Sequence, residues 1–225
     1  MVEIAKLLNN KLFENLSLND LKVILKDVNL SERSYKKNES IFYENYSQVK
    51  KIGFLIKGVL GACTINKKGD VINKSVFFAK DIFPEYLVIN NINLFKYDLV
   101  CLQPSSIIWM DANDFLNIVK HNQKINLALI KYMSQRGYKD QIRISCLNLK
   151  TIREKISFYI LKMNSWNDDK VPMPVNQKVF ADILNVKRSS LNKELNSMSN
   201  EDLISYDRNN IYILNKKGLE KIVNE

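Results

Sequence analysis

The chain has 225 residues, 46% of them hydrophobic and 26% charged, with 6 Gly and 4 Pro. That is an ordinary globular composition with room for one large domain or two smaller ones, and it leaves little material for long flexible linkers. A formal net charge of +10 points to a polyanionic partner, while a lone histidine, His121, excludes a multi-histidine metal site. Cys63, Cys101 and Cys146 form no CxxC pair and read as buried thiols. No apolar run reaches the roughly 20 residues of a membrane-spanning helix. The opening MVEIAKLLNNKLFENL lacks a signal-peptide layout, so the expected location is the cytoplasm.

Residues 3–27 predict two short helices, with Ile4, Leu7 and Leu8 on the first and Leu18, Leu21, Ile24 and Leu25 on the second. Ser17-Leu-Asn-Asp20 has the form of a helix N-cap. From Leu30 to Met110 the texture changes to short strands: Ser40–Tyr43, Lys51–Ile56, Leu60–Ile65, Val71–Phe78, Tyr97–Leu102 and Ser106–Met110. Lys57-Gly58 and Lys68-Gly69-Asp70 are the turn signals between them. So many strands in about 80 residues predict a closed roll or jelly-roll, which removes exposed sheet edges.

Asp111-Ala-Asn-Asp114 starts a helical region, with Phe115, Ile118 and Val119 on one stripe. A longer helix follows from Gln123 to Cys146, about 36 Å long at 1.5 Å per residue. Its stripe of Leu127, Ile130, Met133 or Ser134, Gly137, Tyr138, Gln141, Ile142 and Ser145 mixes heptad spacing with small and polar residues. The helix is longer than a small roll needs for cover, so part of the stripe is expected to meet a second copy of the chain. Leu147–Lys150 is the expected hinge, and Thr151-Ile-Arg-Glu154 has capping-box spacing for another helix with Ile156, Tyr159, Ile160 and Met163 facing inward. A polar loop over Asn164–Lys170 leads to the strand-like VPMPV at 171–175.

The stretch Asn176 to Leu195, NQKVFADILNVKRSSLNKEL, then places two short amphipathic segments around Asn185-Val186. Val179, Phe180, Ile183 and Leu184 recur at helical spacing, and Ala181 is small enough for close helix contact. Asn185 falls at the sharp turn, and asparagine tolerates a left-handed backbone. Val186, Leu191 and Leu195 continue the apolar stripe, which leaves Arg188, Ser189, Asn192 and Lys193 opposite. This is the pattern of a helix-turn-helix that reads DNA through its second helix; a helical hairpin with a solvated basic face shares it. Leu203–Tyr206 and Asn210–Leu214 predict a hairpin around Asp207-Arg208-Asn209-Asn210, a wing placed to touch phosphates, and Lys216–Val223 predicts a last helix.

Charge alone does not mark the DNA-reading region. Residues 151–225 hold 12 Lys and Arg against 10 Asp and Glu, a net of +2, whereas residues 1–150 hold 22 against 14, a net of +8. The case rests on placement: no acid lies between Asp182 and Glu194, while Lys187, Arg188 and Lys193 do.

In this order, roll, long helix, hinge and winged helix-turn-helix resemble the Crp/Fnr superfamily of transcription regulators. REKISFYIL at 153–161, QKVFADILNVKRSSLNKEL at 177–195 and DLISYDRNNIYIL at 202–214 are similar to family segments, and to a branch common in anaerobic low-GC bacteria. KKIGFLIKGVLGACTINKKGDVI and SSIIWMDANDF resemble the family's roll strands and the strand entering the next helix. The resemblance implies an α+β fold: a double-stranded β-helix (jelly-roll) sensor domain over 1–122, a long dimerisation helix over 123–147, and a winged helix-turn-helix over 148–225. It implies a homodimer acting on double-stranded DNA, with RNA polymerase as a further partner. Lys187–Met198 becomes the recognition helix, with Arg188 aligned to an arginine that commonly reads guanine. Ser189 stands where several members carry a glutamate, so the usual half-site does not carry over. Ser190, Asn192, Lys193 and Gln177 would contact phosphates or flanking bases, with Lys187 beside them and Arg208 on the wing.

Cyclic-nucleotide-binding members carry a glycine-glutamate pair and later an arginine-serine pair. Here Glu85 matches the glutamate, Pro84 replaces the glycine, and Phe95-Lys96 replaces the second pair. Lys96 could meet a phosphate only as a point charge, without the arginine fork. Glu85, Phe95 and Lys96 are therefore the candidate effector residues, with cyclic nucleotide, haem and an iron–sulfur cluster all unexpected and no cofactor expected. Phe77, Phe78, Phe83, Tyr86, Phe95 and Tyr97 either line an apolar pocket or fill the roll. The alternative function is a ligand-binding regulatory subunit that contacts protein instead of DNA. An enzyme lacks a nucleophile–base pair or a ligand cluster to build on.

Overall fold

Ser105–Asp111, SSIIWMD, is apolar at four consecutive positions, and successive strand side chains point to opposite faces, so both faces of its sheet need cover. The computed structural model describes residues 2–65, 71–163 and 169–224. A 3-10 helix, Ile4–Asn9, and α1, Leu18–Ile24, open the chain. The strands follow as β1 Leu30–Tyr35, β2 Ser40–Phe42, β3 Lys51–Lys57, β4 Val59–Ile65, β5 Val71–Phe78 and β6 Ile82–Phe83. Then come α2 Glu85–Ile89, β7 Asp98–Cys101, β8 Ser105–Asp111, α3 Ala112–His121 and α4 Gln123–Asn148. The remainder is α5 Ile152–Met163, β9 Lys170–Pro172, α6 Gln177–Leu184, α7 Arg188–Asn200, β10 Ile204–Tyr206, β11 Asn210–Ile213 and α8 Lys216–Asn224.

The roll is two antiparallel four-stranded sheets, ordered β1-β8-β3-β6 and β2-β7-β4-β5. Between them lie Tyr35, Leu55, Leu60, Phe77, Phe83, Phe95, Leu99, Ile107 and Trp109. On the outer face of the first sheet, Ile52, Phe54, Ile108 and Met110 pack with Leu7, Phe13 and Leu21, with Phe115 of α3, and with Ile125, Leu129 and Tyr132 of α4. The alternation along β8 thus builds two cores from one strand, Ile107 and Trp109 inward, Ile108 and Met110 outward. The Tyr132 hydroxyl fixes this seat, donating to the Ile82 carbonyl at 2.9 Å.

Two facing four-stranded sheets form the expected jelly-roll, although β1 and β6, β2 and β5 remain as end strands among the described residues. These edges are blunted by shortness in β2 and β6 and by Glu32 and Arg33 on β1. β1, LSERSY, has too few β-branched residues to read as a strand and forms by pairing with β8. The Lys68-Gly69-Asp70 turn and residues 164–168 of the expected loop lie outside the described residues. VPMPV contributes only its first two residues to β9.

The Ser17–Asp20 capping box is present on α1, with Asp20 N–H donating to Ser17 Oγ at 3.1 Å. Thr151 and Glu154 form the reciprocal pair that opens α5. The chain forms two compact units that divide inside α4, between Gln135 and Arg136. Beyond that point Ile142 and Cys146 join Ile156, Ile160, Phe180, Leu191 and Leu195 in the C-terminal core. The exposed face of α4 therefore differs from the expected stripe. Ile142 is buried and Met133 half-buried against its unit's core, while Leu127 and Ile130 are each 59% exposed and Ile144 is 60% exposed. All three thiols are buried, and burial pushes Cys63 and Cys146 up to about 11.

Gly58, between β3 and β4, has φ +99°, and an added Cβ would fall on the Ser105 hydroxyl and 2.6 Å from the Pro104 carbonyl oxygen. Strain and overlap act together there. Gly58→Ala is expected to lower stability by more than about 1 kcal/mol, read from the urea midpoint at constant m-value.

Candidate nucleic-acid interface

The helix-turn-helix is set by backbone groups that must find partners. Asn176 Oδ1 accepts from the Lys178 and Val179 amides at 2.9 and 3.0 Å and so starts α6. At its end Asn185 takes the left-handed conformation, φ 53° and ψ 52°. The Asn185 amide donates to the Asp182 carbonyl at 3.1 Å and the Val186 amide to Ala181 at 2.9 Å, a Schellman pairing that stops the helix. Lys155 Nζ adds a bond of 3.4 Å to the Leu184 carbonyl, a cation at the negative end of α6. Leu191, Leu195 and Met198 of α7 then pack with Phe180, Ala181 and Leu184 of α6. The Phe180 ring lies 5.0 Å from that of Tyr159 on α5.

That packing leaves one face of α7 outward. Arg188, Ser189, Lys193, Asn196 and Asn200 are exposed, while Ser190 and Asn192 are half-buried. Asn192 Oδ1 has no hydrogen-bond partner among the described residues. Lys187 is the exposed N-cap of α7; it makes no side-chain capping bond among the described residues, and the first turn holds no acid. Gln177 is half-buried at the start of α6.

The flank beside this face belongs to Arg153 on α5. Arg153 Nε donates to Glu194 at 2.6 Å, and its two terminal nitrogens donate to the two Glu201 oxygens at 2.7 and 2.6 Å. Hydrogen bonds to Glu201 and then Glu194 raise the Arg153 pKa, and Arg153 in turn holds the Glu201 carboxyl below the usual range. Both carboxylates on α7 and its C-cap are thus engaged away from the outward face. The sequence pattern located the acid-free face but missed this cause, since Arg153 is 41 and 48 residues from its partners.

The wing is the sheet β10-β11-β9. Asp207 Oδ1 accepts from the Asn209 and Asn210 amides, each at 2.7 Å, and Oδ2 accepts from the Tyr212 hydroxyl at 3.0 Å. Arg208 is exposed at the tip of that turn. The Tyr206 hydroxyl donates to Asn196 Oδ1 at 2.7 Å, tying β10 to the outward face of α7.

In the roll, Glu85 and Phe95 are buried and Lys96 is exposed, so these three do not converge on one surface. The Phe95 ring stacks on Phe42 at 3.7 Å and meets Tyr97 edge-on at 5.9 Å. Phe77 and Phe83 are fully buried beside them, whereas Phe78 is exposed on β5. Among the described residues, no cluster of three or more His, Cys, Asp and Glu is arranged to hold a metal ion.

A family model described as a Crp-like helix-turn-helix domain matches residues 154–222, and one described as a cyclic nucleotide-binding domain matches residues 32–122. The chain belongs to the Crp/Fnr family. It is a Crp-like transcription regulator with a cyclic nucleotide-binding-type roll and a DNA-binding helix-turn-helix. No curated protein matches it in sequence. Solved structures similar to it include a CooA mutant from Carboxydothermus hydrogenoformans, with TM-score 0.74 at 15% identity over 99% of this chain and 96% of that one. FixK2 from Bradyrhizobium japonicum gives 0.68 at 14% identity over 86% and 97%. A CRP-family transcriptional regulator from Thermus thermophilus gives 0.61 at 15% over 86% and 97%. At such identities these Crp/Fnr likenesses establish the fold. Among the described residues no helix is long and apolar enough to cross a membrane.

The two amide donors, Asn209 and Asn210, hold the Asp207 carboxyl below its ordinary value. A depressed carboxyl stabilises the fold fully above the unfolded value of about 3.9, and that contribution is lost as pH falls through the folded value. Asp207→Asn is expected to flatten the acid-side fall in thermal stability, seen by comparing melting temperatures of both proteins across an acid pH series.

Proposed function

We propose that this regulator is a homodimer that reads DNA through the outward face of α7, with a roll that does not take cyclic nucleotide. The observation that carries the DNA reading is that Arg188, Ser189 and Lys193 stand exposed while Glu194 on α7 and Glu201 at its C-cap are bound to Arg153. Arg188, exposed at the start of the helix, suits the O6 and N7 acceptors of guanine, whereas the Asn192 amide oxygen is buried and does not face outward. Ser190, Lys187, Lys193 and Gln177 flank Arg188 as phosphate or neighbouring-base contacts, and Arg208 extends the contact from the wing. Arg188→Ala is expected to weaken specific binding by roughly 1–3 kcal/mol and to relax preference at one base pair, read by mobility shift on a selected palindromic duplex. Wild-type protein that binds no DNA in a sequence-dependent way at any salt concentration would instead favour a regulatory subunit acting through protein contacts.

The dimer reading rests on α4. Leu127, Ile130, Ser134, Gly137, Gln141 and Ile144 recur with alternating three- and four-residue steps, the period of a coiled-coil seam, and every one is exposed. Nothing lies within 4 Å of a Cβ built at Gly137, so the face is open to close approach there. For the roll, Phe95 stands in place of the family's arginine and is stacked into the core. Native mass spectrometry is expected to give a dimer without bound cyclic nucleotide, and Ile130→Glu is expected to give monomer. A wild-type monomer at micromolar concentration refutes the seam.

A further inference from the structure

Glu194, Ser197 and Glu201 recur three and four residues apart, so they form one flank across two turns of α7 and its C-cap. At 3.6 residues per turn this flank lies between the buried stripe of Leu191, Leu195 and Met198 and the outward side at Lys193. One side chain from α5 holds all of it. Arg153 donates to Glu194 at 2.6 Å, to both oxygens of Glu201 at 2.6 and 2.7 Å, and to Ser197 Oγ at 3.1 Å. The Ser197 hydroxyl donates in turn to Glu201 at 2.9 Å. The Arg153 side chain is 30% exposed and that of Glu194 26%. A planar fork with two parallel bonds fixes orientation as well as distance, which a lysine cannot do. The charge also matters: Lys187, Arg188 and Lys193 share the helix and its caps with two carboxylates, which left alone would offset two of the three cations facing a polyanion.

We propose that Arg153 is a positioning residue for DNA recognition, setting the rotation of α7 about its axis and neutralising Glu194 and Glu201 without itself touching DNA. This rests on the reading of α7 as the DNA-reading helix. Specific affinity then depends on a residue that contributes no phosphate contact.

The test compares wild type with Arg153→Met, Arg153→Lys, the triple variant Arg153→Met/Glu194→Gln/Glu201→Gln, and Arg188→Ala. Binding is read by fluorescence anisotropy on one selected duplex and one scrambled duplex, over a salt series. Arg153→Met is expected to lose roughly tenfold in specific affinity, the scale of couplings within one hydrogen-bond network. Its slope of log affinity against log salt should stay at the wild-type value, because no phosphate contact is removed. The triple variant should recover part of the loss by removing the freed carboxylates. Arg153→Lys, which keeps charge but not the fork, should show reduced discrimination between the two duplexes. Wild-type affinity in Arg153→Met, or no recovery in the triple variant, overturns the proposal. Should Arg153→Met fail to fold, judged by circular dichroism, Arg153→Lys carries the test, and wild-type discrimination in it overturns the proposal. A wild type indifferent to sequence, or an Arg188→Ala protein equal to wild type, points instead to failure of the α7 reading.

Discussion

The N-terminal unit depends on one constraint: the sheet β1-β8-β3-β6 is apolar on both faces and must be covered on both. The inner face finds the second sheet, and the outer face finds α1, α3 and the first turns of α4. Close packing leaves little slack in this arrangement. A Cβ at Gly53 on β3 would come within 2.6 Å of the Phe83 ring and 2.9 Å of Trp109. Interior volume at this point of the roll is therefore already committed to aromatic rings.

In the C-terminal unit local rules and long-range contacts divide the labour. Asn176, Asn185 and the Schellman pairing decide where α6 begins and ends. They leave the azimuth of α7 open, which the buried stripe and the Arg153 network together constrain. The net charge of only +2 over residues 151–225 is consistent with that. The carboxylates there are not spread evenly against the cations; on α7 they are segregated to one flank, and the field at the opposite face follows placement and not the sum.

What could be read from the sequence follows from the range of the forces involved. Helices with period-3.6 stripes and local caps, such as α6 with Asn176 or α1 with Ser17, were legible because their signals lie within a few residues. The left-handed turn at Asn185 and the hairpin at Asp207 were legible for the same reason. β1 was not, because LSERSY becomes a strand only through the partner it meets about 75 residues later. On α4 the heptad spacing was visible, but which of Ile142 and Ile144 turned inward depended on the core formed with α5. The cations of the candidate interface were legible as an acid-free run, whereas the clamp that keeps it so was not.

The start of α7 has a further consequence. A cation caps the helix at Lys187 and another follows at Arg188, where the backbone amides already carry partial positive charge. A serine or aspartate would satisfy those amides better. The free chain is therefore locally frustrated at the turn where DNA is expected to arrive, and an anion docking there would supply the missing acceptor. If α7 reads DNA as proposed, the sequence of this turn suits the bound state better than the free one, and stability measured on the free protein undervalues it.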